Sequence, residues 1–410
     1  MIDVKAARAD RDAYRAALAR RGYADELDAL LAADERRRGL LPQIEELRAR
    51  RKVKGKPTPE QLEELERVKS ELQGLEAELT EVEAEAQRLL DVIPNLPDPE
   101  APDGVEEEDA VELRRVGEPR DFGFEPLDHL GLGWIDMERG AKVSGARFAY
   151  RVGDVALLEL ALYRWALDRL VQKGFTPMLP PVLVREEAMY GTGFLPTDEL
   201  NLYRLERDDL YLTGTSEVAL AAFHMGETFE EDELPKQYAA FSTNFRREAG
   251  AAGKDTRGMF RVHQFDKVEM FVFCAPEESR EWHERLLAIE EELVGELGVP
   301  YRVVDIPVGD LGASAARKFD IEAWFPSQER YREVTSTSNT TDYQSRRLGV
   351  RVRREGGLEH VHTLNGTAVT ARAMLAVLEN FQEDGGSVAV PDALADFGAP
   401  RRLGRVAVPG

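Results

Sequence analysis

Two short segments within residues 238–274 are the most informative about the fold, Phe245-Arg246-Arg247-Glu248 and Arg261-Val262-His263-Gln264-Phe265. The first ends a strand-like segment, Tyr238 to Glu248, and the second leads into another, Lys267 to Cys274. Because side chains alternate along a strand, we expect Arg246 and Glu248 to project from one face. An arginine there can hold a phosphate through two parallel hydrogen bonds, and a glutamate can accept from an amine. With Phe265 available to stack on a base, these residues predict a nucleoside triphosphate bound over a sheet.

The composition is that of a folded, highly charged chain of 410 residues, enough for two or three domains. No apolar run is long enough to span a bilayer, and Met1-Ile2-Asp3-Val4-Lys5 does not resemble a signal peptide. The single cysteine, Cys274, lies in an apolar strand, which favours a small buried residue over a ligand or nucleophile. These features predict a cytoplasmic protein with no membrane association.

The net charge of −23, taken as a sum, argues against nucleic-acid binding. Its distribution argues otherwise, because one basic segment is interrupted by carboxylates only at Glu45 and Glu46. The basic positions of that segment are Arg36, Arg37, Arg38, Arg48, Arg50, Arg51, Lys52, Lys54 and Lys56. It is either the solvated face of a helix or a basic arm on an acidic body.

A helical hairpin is predicted at the N-terminal end. Apolar residues spaced alternately by three and four form a heptad seam, Leu65, Val68, Leu72, Leu75, Leu79, Val82, Ala86 and Leu89. A less regular helical pattern precedes it, with a possible kink at Pro42, in Leu27, Leu30, Leu31, Leu41, Ile44 and Leu47. Between them, residues 54–59 are rich in Gly and Pro, and Thr58 is expected to cap the second helix. Two such helices pair as an antiparallel coiled coil about 45 Å long.

Three prolines within Ile93–Pro99 and the acidic Glu106–Asp109 predict a domain boundary near residue 105. We therefore assign residues 1–105 to the helical arm and 106–410 to a second domain. Its predicted helices are Asp154–Lys173, Ser279–Leu297 and Thr370–Gln382. Its predicted strands include Leu210–Thr215, Val268–Cys274, Tyr301–Ile306, Phe319–Phe325, Tyr331–Thr337 and His360–Leu364. This order lacks strict β-α-β alternation and predicts an α+β fold, a largely antiparallel sheet flanked by helices.

The chain resembles the class II aminoacyl-tRNA synthetases, and within them the bacterial-type seryl-tRNA synthetase family. Residues 245–248 with 261–265 resemble the second class II motif. The first motif, which forms the dimer interface, is similar to Gly174-Phe175-Thr176-Pro177-Met178-Leu179-Pro180-Pro181, and the third to His362-Thr363-Leu364-Asn365-Gly366-Thr367 with Arg372. Residues 212–217, 263–269 and 332–339 are similar to segments peculiar to the seryl enzymes. The hairpin resembles the family's tRNA-binding arm, so the resemblance covers essentially the whole chain.

The resemblance implies an ATP-dependent serine–tRNA ligase that is a homodimer. Such an enzyme activates L-serine with ATP and Mg²⁺ to seryl-adenylate, releases pyrophosphate, and transfers serine to tRNA(Ser), and to tRNA(Sec) where that tRNA exists. Because the nucleophile comes with the substrate, the protein supplies positioning and charge neutralisation. By resemblance the catalytic residues are Arg246, Glu333 and Arg372, with Glu333 and Ser336 holding Mg²⁺. The implied ATP site comprises Arg246, Arg247, Glu248, Phe265, Glu333, Val334, Thr335, Ser336 and Arg372.

The implied amino-acid pocket must recognise a small hydroxyl group. A pocket that hydrogen-bonds a hydroxyl rejects analogues that lack it, since its own polar groups would be left unpaired. By resemblance, Glu269 accepts the serine hydroxyl, while Thr215 and Glu217 hold the amino group. The implied serine-binding set is Thr215, Ser216, Glu217, Arg246, Glu269, Asn365 and Thr367. The residues expected to contact tRNA are Arg36, Arg37, Arg48, Arg51 and Lys54 in the arm, and Lys254 and Arg257 near the acceptor end.

The third motif departs from the family in its spacing. We expect six steps from its serine-binding residue to its arginine, but Thr367 to Arg372 is five. Either the strand-to-helix turn is tighter, or the register of one of the two residues is shifted.

Three other functions remain open from the sequence. A paralogue that loads a carrier protein would not need the basic arm. A non-catalytic tRNA-binding protein would not need Arg246, Glu248, Glu269 and Glu333. A structural coiled-coil protein leaves the second motif without a purpose.

Overall fold

The structure is a computed structural model that describes residues 1–52, 58–249 and 257–404. The chain forms two compact units, Met1–Pro99 and Glu100–Gly410. Residues 100–105, which the sequence analysis assigned to the arm, lie in the second unit. There Ala101 packs against Val304 and Ile306.

The first unit is helical, with α1 Val4–Ala9, α2 Arg11–Ala19, α3 Ala24–Arg50 and α4 Pro59–Val92. The predicted cap of α4 is confirmed, because Thr58 and Gln61 form a reciprocal capping box with Pro59 at the first helical position. The two long helices α3 and α4 share an apolar core built from Ala33, Leu40, Ile44, Leu47, Val68, Leu72 and Val82. Leu40 contributes to this core and Leu41 is exposed. The predicted apolar stripe was therefore wrong at one position, where it included Leu41 in place of Leu40.

The helices of the second unit are α5 Met137–Ser144, α6 Asp154–Gln172, α7 Glu186–Thr192, α8 Glu217–Ala222, α9 Ser279–Leu297, α10 Tyr343–Leu348 and α11 Ala371–Asn380. The early strands are β1 Val111–Val116, β2 Ile135–Asp136, β3 Tyr150–Arg151, β4 Thr176–Met178, β5 Leu183–Val184, β6 Tyr203–Leu205, β7 Leu210–Leu212, β8 Thr228–Glu230 and β9 Lys236–Phe245. The later ones are β10 Gln264–Cys274, β11 Tyr301–Asp305, β12 Arg317–Phe325, β13 Arg330–Thr341, β14 Arg351–Arg354, β15 Gly357–His360, β16 His362–Thr370, β17 Val388–Ala389 and β18 Arg402–Leu403.

Eight strands form the main sheet, in the order β1-β11-β12-β13-β16-β10-β9-β4. All neighbours pair antiparallel except β4 with β9, which confirms the predicted α+β fold. The predicted helix Ser279–Leu297 is also confirmed, and Gly298 ends it at a φ of 72°, a left-handed position that suits glycine. The strand predicted over His360–Leu364 is divided at Val361, because β15 ends at His360 and β16 begins at His362.

The two faces of the main sheet differ in character. Val268, Met270 and Val272 of β10 belong to a large apolar core shared with α6, α9 and α11. Side chains alternate along a strand, so Lys267 and Glu269 project from the opposite face. That polar face carries the groups described next.

Candidate active site

Arg246 is a central residue of the polar face. Its Nε donates to the carbonyl oxygen of Gly214 at 3.0 Å, and its guanidinium carbon lies 5.1 Å from the centroid of the Phe265 ring. Its charge acts on Glu217, Glu269 and Glu333, three carboxyl groups that sit on different strands and helices. One arginine is therefore within electrostatic reach of these three carboxyl groups.

The expectation that Arg246 and Glu248 share a strand face is wrong. Strand β9 ends at Phe245, and Glu248 has a φ of 53°, in the left-handed region, so the alternation stops. The Glu248 carboxylate accepts from Nη1 of Arg261 at 2.9 Å. Arg247 is held separately, because its Nε donates to the carbonyl oxygen of Leu202 at 2.8 Å.

A buried cluster of Thr215, Lys267 and Glu269 lies beside Arg246. The Nζ of Lys267 donates to Oγ1 of Thr215 at 2.6 Å and forms an ion pair with the Glu269 carboxylate. Burial raises the pKa of Glu269 to about 7, against the opposing charge of Lys267. Sequence reasoning missed Lys267, although its position two residues before Glu269 in a strand places both on one face.

Glu217 forms the second buried part of this region. Its Oε1 accepts from Nε2 of Gln344 at 2.7 Å and from Nδ2 of Asn365 at 2.9 Å. Burial raises the pKa of Glu217 as well. Ser216 beside it is fully buried, and its Oγ has no hydrogen-bond partner among the described residues. The structure therefore brings together the predicted pocket residues and adds Gln344, which no local pattern singled out.

A bulge in β13 brings Glu333 and Ser336 to one face. Residues three apart on a regular strand point to opposite faces. Here Glu333 lies opposite Glu322 and Thr335 opposite Ile321, so Val334 is an extra residue in β13. Paired side chains share a face, which places Glu333 and Ser336 together with Asp320, the partner of Ser336 in the register.

Opposite charges surround the Glu333 carboxylate. Burial by itself would raise the pKa of Glu333, but the charges of Arg372 and Lys318 outweigh it and lower the value to about 2. Nη1 of Arg372 lies 3.0 Å from the carboxylate. Burial raises the pKa of Asp320, although Lys318 lies 3.0 Å away. Within the described ranges no group of three or more His, Cys, Asp and Glu side chains is arranged to hold a metal ion.

In the third motif the strand and the helix join without an intervening loop. Strand β16 ends at Thr370 and α11 begins at Ala371, so Thr370 both ends the strand and caps the helix by accepting from the backbone N–H of Arg372 at 3.2 Å. Thr367 lies opposite Glu269, with a bulge at Ala368 before pairing resumes. The bulge and the direct strand-to-helix junction both lie between Thr367 and Arg372, and the register places Thr367 opposite Glu269.

The residues expected to contact tRNA are distributed over both units. In the arm, Arg36 pairs with Glu78 at 3.1 Å and Arg48 with Glu76 at 2.7 Å, across the hairpin. Arg37 lies 3.6 Å from Asp34 on its own helix, and Arg51 is exposed at the end of α3. In the second unit, Arg257 is 80% exposed and lies 3.8 Å from Asp128. The predicted Lys54 and Lys254 fall outside the described residues.

An antiparallel sheet of this topology, which carries the segments similar to the three motifs on β4, on β9 with β10, and on β16 with α11, defines the core of a class II aminoacyl-tRNA synthetase. Comparison with known families agrees. The tRNA synthetase class II core domain (G, H, P, S and T) matches residues 202–381, and the Seryl-tRNA synthetase N-terminal domain matches residues 1–97. The chain belongs to the seryl-tRNA synthetase family, the serine–tRNA ligases of class II.

Individual relatives extend the match to nearly the full length. The serine–tRNA ligase of Thermobifida fusca is 52% identical over 411 residues, covering 97% of both chains. That of Streptomyces coelicolor is 50% identical over 414 residues, again covering 97% of both. The solved seryl-tRNA synthetase of Pyrococcus horikoshii complexed with ATP is 40% identical, with a TM-score of 0.92 over 99% of this chain and 100% of that one. No helix in the described parts of this chain is long and apolar enough to cross a membrane.

Proposed function

We propose that this chain activates L-serine with ATP to seryl-adenylate and then transfers serine to tRNA(Ser), using the polar face of the main sheet. The observation that carries the proposal is the position of Arg246, within reach of both the Glu269 cluster and Glu333. The Pyrococcus horikoshii structure, described as complexed with ATP, and that of Naegleria fowleri, described as in complex with AMP, support an adenine nucleotide as the ligand.

In the activation step, an oxygen of the serine carboxylate attacks the α-phosphorus of ATP, and the bond to the bridging oxygen of pyrophosphate breaks. Both reactants are anionic, so the chief obstacle is charge repulsion, which a fixed guanidinium lowers. Arg246 is anchored by Gly214 and packs over Phe265, which holds it ready between the two substrates. Arg372 neutralises the outer phosphates, while Phe265 stacks on adenine and Glu248 accepts from its amino group.

We assign Mg²⁺ to Glu333 and Ser336. Hard oxygen donors are the ligands this ion prefers, and it commonly keeps waters and binds substrate phosphates in addition to one or two carboxylates. The depressed pKa of Glu333, caused by Arg372 and Lys318 against the effect of burial, keeps that carboxylate ionised. The ion would supply neutralisation of phosphate charge. The donor chemistry on the bulged strand fits that role, with Val334 and Thr335 shaping the backbone around it.

The serine pocket comprises the buried groups around Lys267. Glu269 accepts from the serine hydroxyl, and the amino group lies against Thr215 and Glu217. Ser216, Asn365 and Thr367 complete the polar wall. Because these groups are buried, alanine or glycine would remove the hydroxyl that donates to Glu269, and no water would replace it, which is the basis of discrimination by a hydrogen-bonding pocket.

The arm binds the tRNA through its arginines. Exposed ion pairs contribute little to stability, so Arg36 and Arg48 can exchange their carboxylate partners for phosphates at small cost. We assign Arg37, Arg51 and Lys54 to the same role, and Lys254 and Arg257 to contacts with the acceptor end. Recognition of structured RNA by shape and phosphate contacts suits a rigid arm, and we include tRNA(Sec) as a second substrate.

The protein acts as a cytoplasmic homodimer. Leu157 and Leu160 of α6 are exposed by 51% and 61%, and Leu179, just after β4, by 81%. Leu179 lies within residues 174–181, the segment that resembles the first class II motif, and α6 directly precedes that segment in the chain, which supports this surface as the subunit interface. Large exposed apolar side chains in a group commonly mark such surfaces.

Serine-dependent exchange of pyrophosphate into ATP tests the proposal, with threonine, alanine and glycine in parallel. We expect exchange with serine alone, followed by charging of tRNA(Ser) and tRNA(Sec) transcripts. Exchange that depends on none of the four amino acids contradicts the activation step. Exchange without charging contradicts the proposed role of the arm.

A further inference from the structure

His129 is a buried histidine that joins two segments of the second unit. Its side chain is buried to all but a few per cent and contacts Glu379 of α11 on one side. Nδ1 of His129 lies 2.8 Å from Oε1 of Glu379, and Nε2 accepts from the backbone N–H of Met259 at 3.1 Å. The ring also packs edge-on against Phe260, at 5.4 Å between centroids.

These contacts determine the protonation of the ring. A backbone N–H can only donate, so Nε2 must be the unprotonated nitrogen. The proton is therefore on Nδ1 and is donated to Glu379. The second carboxylate oxygen of Glu379 accepts a hydrogen bond from the hydroxyl of Ser327 at 2.7 Å. Both ring nitrogens of His129 and both carboxylate oxygens of Glu379 therefore have hydrogen-bond partners.

Phe260 connects these contacts to the proposed ATP site. The carbonyl oxygen of Phe260 accepts from Nε of Arg372 at 3.3 Å and from Nη2 at 3.1 Å. Arg372 and Glu379 both belong to α11, seven residues and about 10 Å apart along the helix. Residues 259–260 are therefore attached to α11 at two points, directly through Arg372 and indirectly through His129.

Gly258 makes room for the histidine. Its φ is 87°, and a Cβ placed there would lie 2.5 Å from Nε2 of His129. A side chain at this position would be strained and would displace the ring. The close approach of backbone and imidazole is thus a specific feature of the local structure.

We propose that His129 is a positioning residue for ATP, acting through the Met259 N–H and the Phe260 carbonyl to hold the guanidinium of Arg372. The proposal rests on the ATP-binding role of Arg372 given above. Among the described residues, those of the proposed serine pocket form no hydrogen bond with His129. Loss of the His129 contacts should therefore weaken ATP binding and leave serine binding nearly unchanged.

Two substitutions separate the two functions of the ring. His129→Asn keeps a donor for Glu379 near the position of Nδ1 but removes the acceptor for Met259. His129→Gln places an amide oxygen near the position of Nε2 and keeps that acceptor. His360→Asn is the matched control, because His360 is half-buried and, within the described part of the chain, its ring hydrogen-bonds only to the Val350 carbonyl oxygen. Each variant of the full-length protein is assayed by serine-dependent pyrophosphate exchange.

We expect His129→Asn to raise the KM for ATP about tenfold, which corresponds to about 1.4 kcal/mol. The KM for serine should change by less than about twofold, and His129→Gln should recover most of the loss. Equal changes in both KM values, or no recovery by His129→Gln, would overturn the proposal. An inactive wild-type protein would instead refute the proposed function. In that case amide hydrogen exchange at residues 259–260 tests the role of His129 independently of activity. We expect faster exchange at these residues in His129→Asn than in His129→Gln, and equal rates would overturn the proposal.

Discussion

The protonation of Glu269 should control how well this protein uses serine. The side chain is almost completely buried, and burial raises its pKa to about 7, with Lys267 opposing and Glu217 adding to the rise. A carboxylate is a stronger acceptor for the serine hydroxyl than a neutral acid is. With a pKa near 7, the Glu269 carboxyl group is ionised in about 9% of the molecules at about pH 6 and in about 91% at about pH 8. The kcat/KM for serine should therefore rise about tenfold over that interval.

Pyrophosphate exchange at saturating ATP and low serine measures this directly. The kcat/KM for ATP over the same interval serves as the internal control, because Glu269 does not belong to the proposed ATP site. Glu269→Gln, which cannot ionise, should bind serine more weakly and show a flat profile. The reasoning is refuted by a flat profile in the wild-type protein, or by an unchanged tenfold slope in Glu269→Gln.

Three further predictions concern stability. Glu290 is buried beneath the sheet and accepts from Thr335 Oγ1 at 3.0 Å, and burial raises its pKa well above the usual range. The protonated Glu290 contributes stability that is present at low pH and is lost as the pH rises through its raised pKa. The difference in Tm between Glu290→Gln and the wild-type protein should therefore grow in favour of the variant from about pH 5 to about pH 8. A difference that does not depend on pH contradicts this. Lys267→Met leaves Glu269 without its counter-ion and should cost about 3–5 kcal/mol, and thermal unfolding should show recovery when Glu269→Gln is added. Thr58→Ala removes the cap of α4 and should cost about 1 kcal/mol, seen as about fivefold faster amide exchange in the first helical turn and unchanged exchange in the second unit.

Local patterns in the sequence were sufficient for several features. The helix Ser279–Leu297, the cap at Thr58 and the antiparallel α+β class all follow from periodicity, turn residues and the order of elements. Three of the positions proposed for serine, Glu269, Asn365 and Thr367, also share one face of the sheet, because residues of the same parity on paired strands share a face. These features depend on neighbours close in the chain, or on a regular repeat, and both are visible in a single sequence.

Tertiary structure alone decided the departures from regularity. The bulge at Val334 brings Glu333 and Ser336 to one face, and the left-handed backbone at Glu248 ends the alternation that the sequence implied. Each depends on the register against a distant strand or on packing at a strand end, which no local repeat encodes. The hydrogen bond from the Met259 N–H to His129 has the same origin, because it joins residues that are far apart in the chain. Burial, which sets the protonation of Glu269, exists only once residues far apart in the chain have packed together.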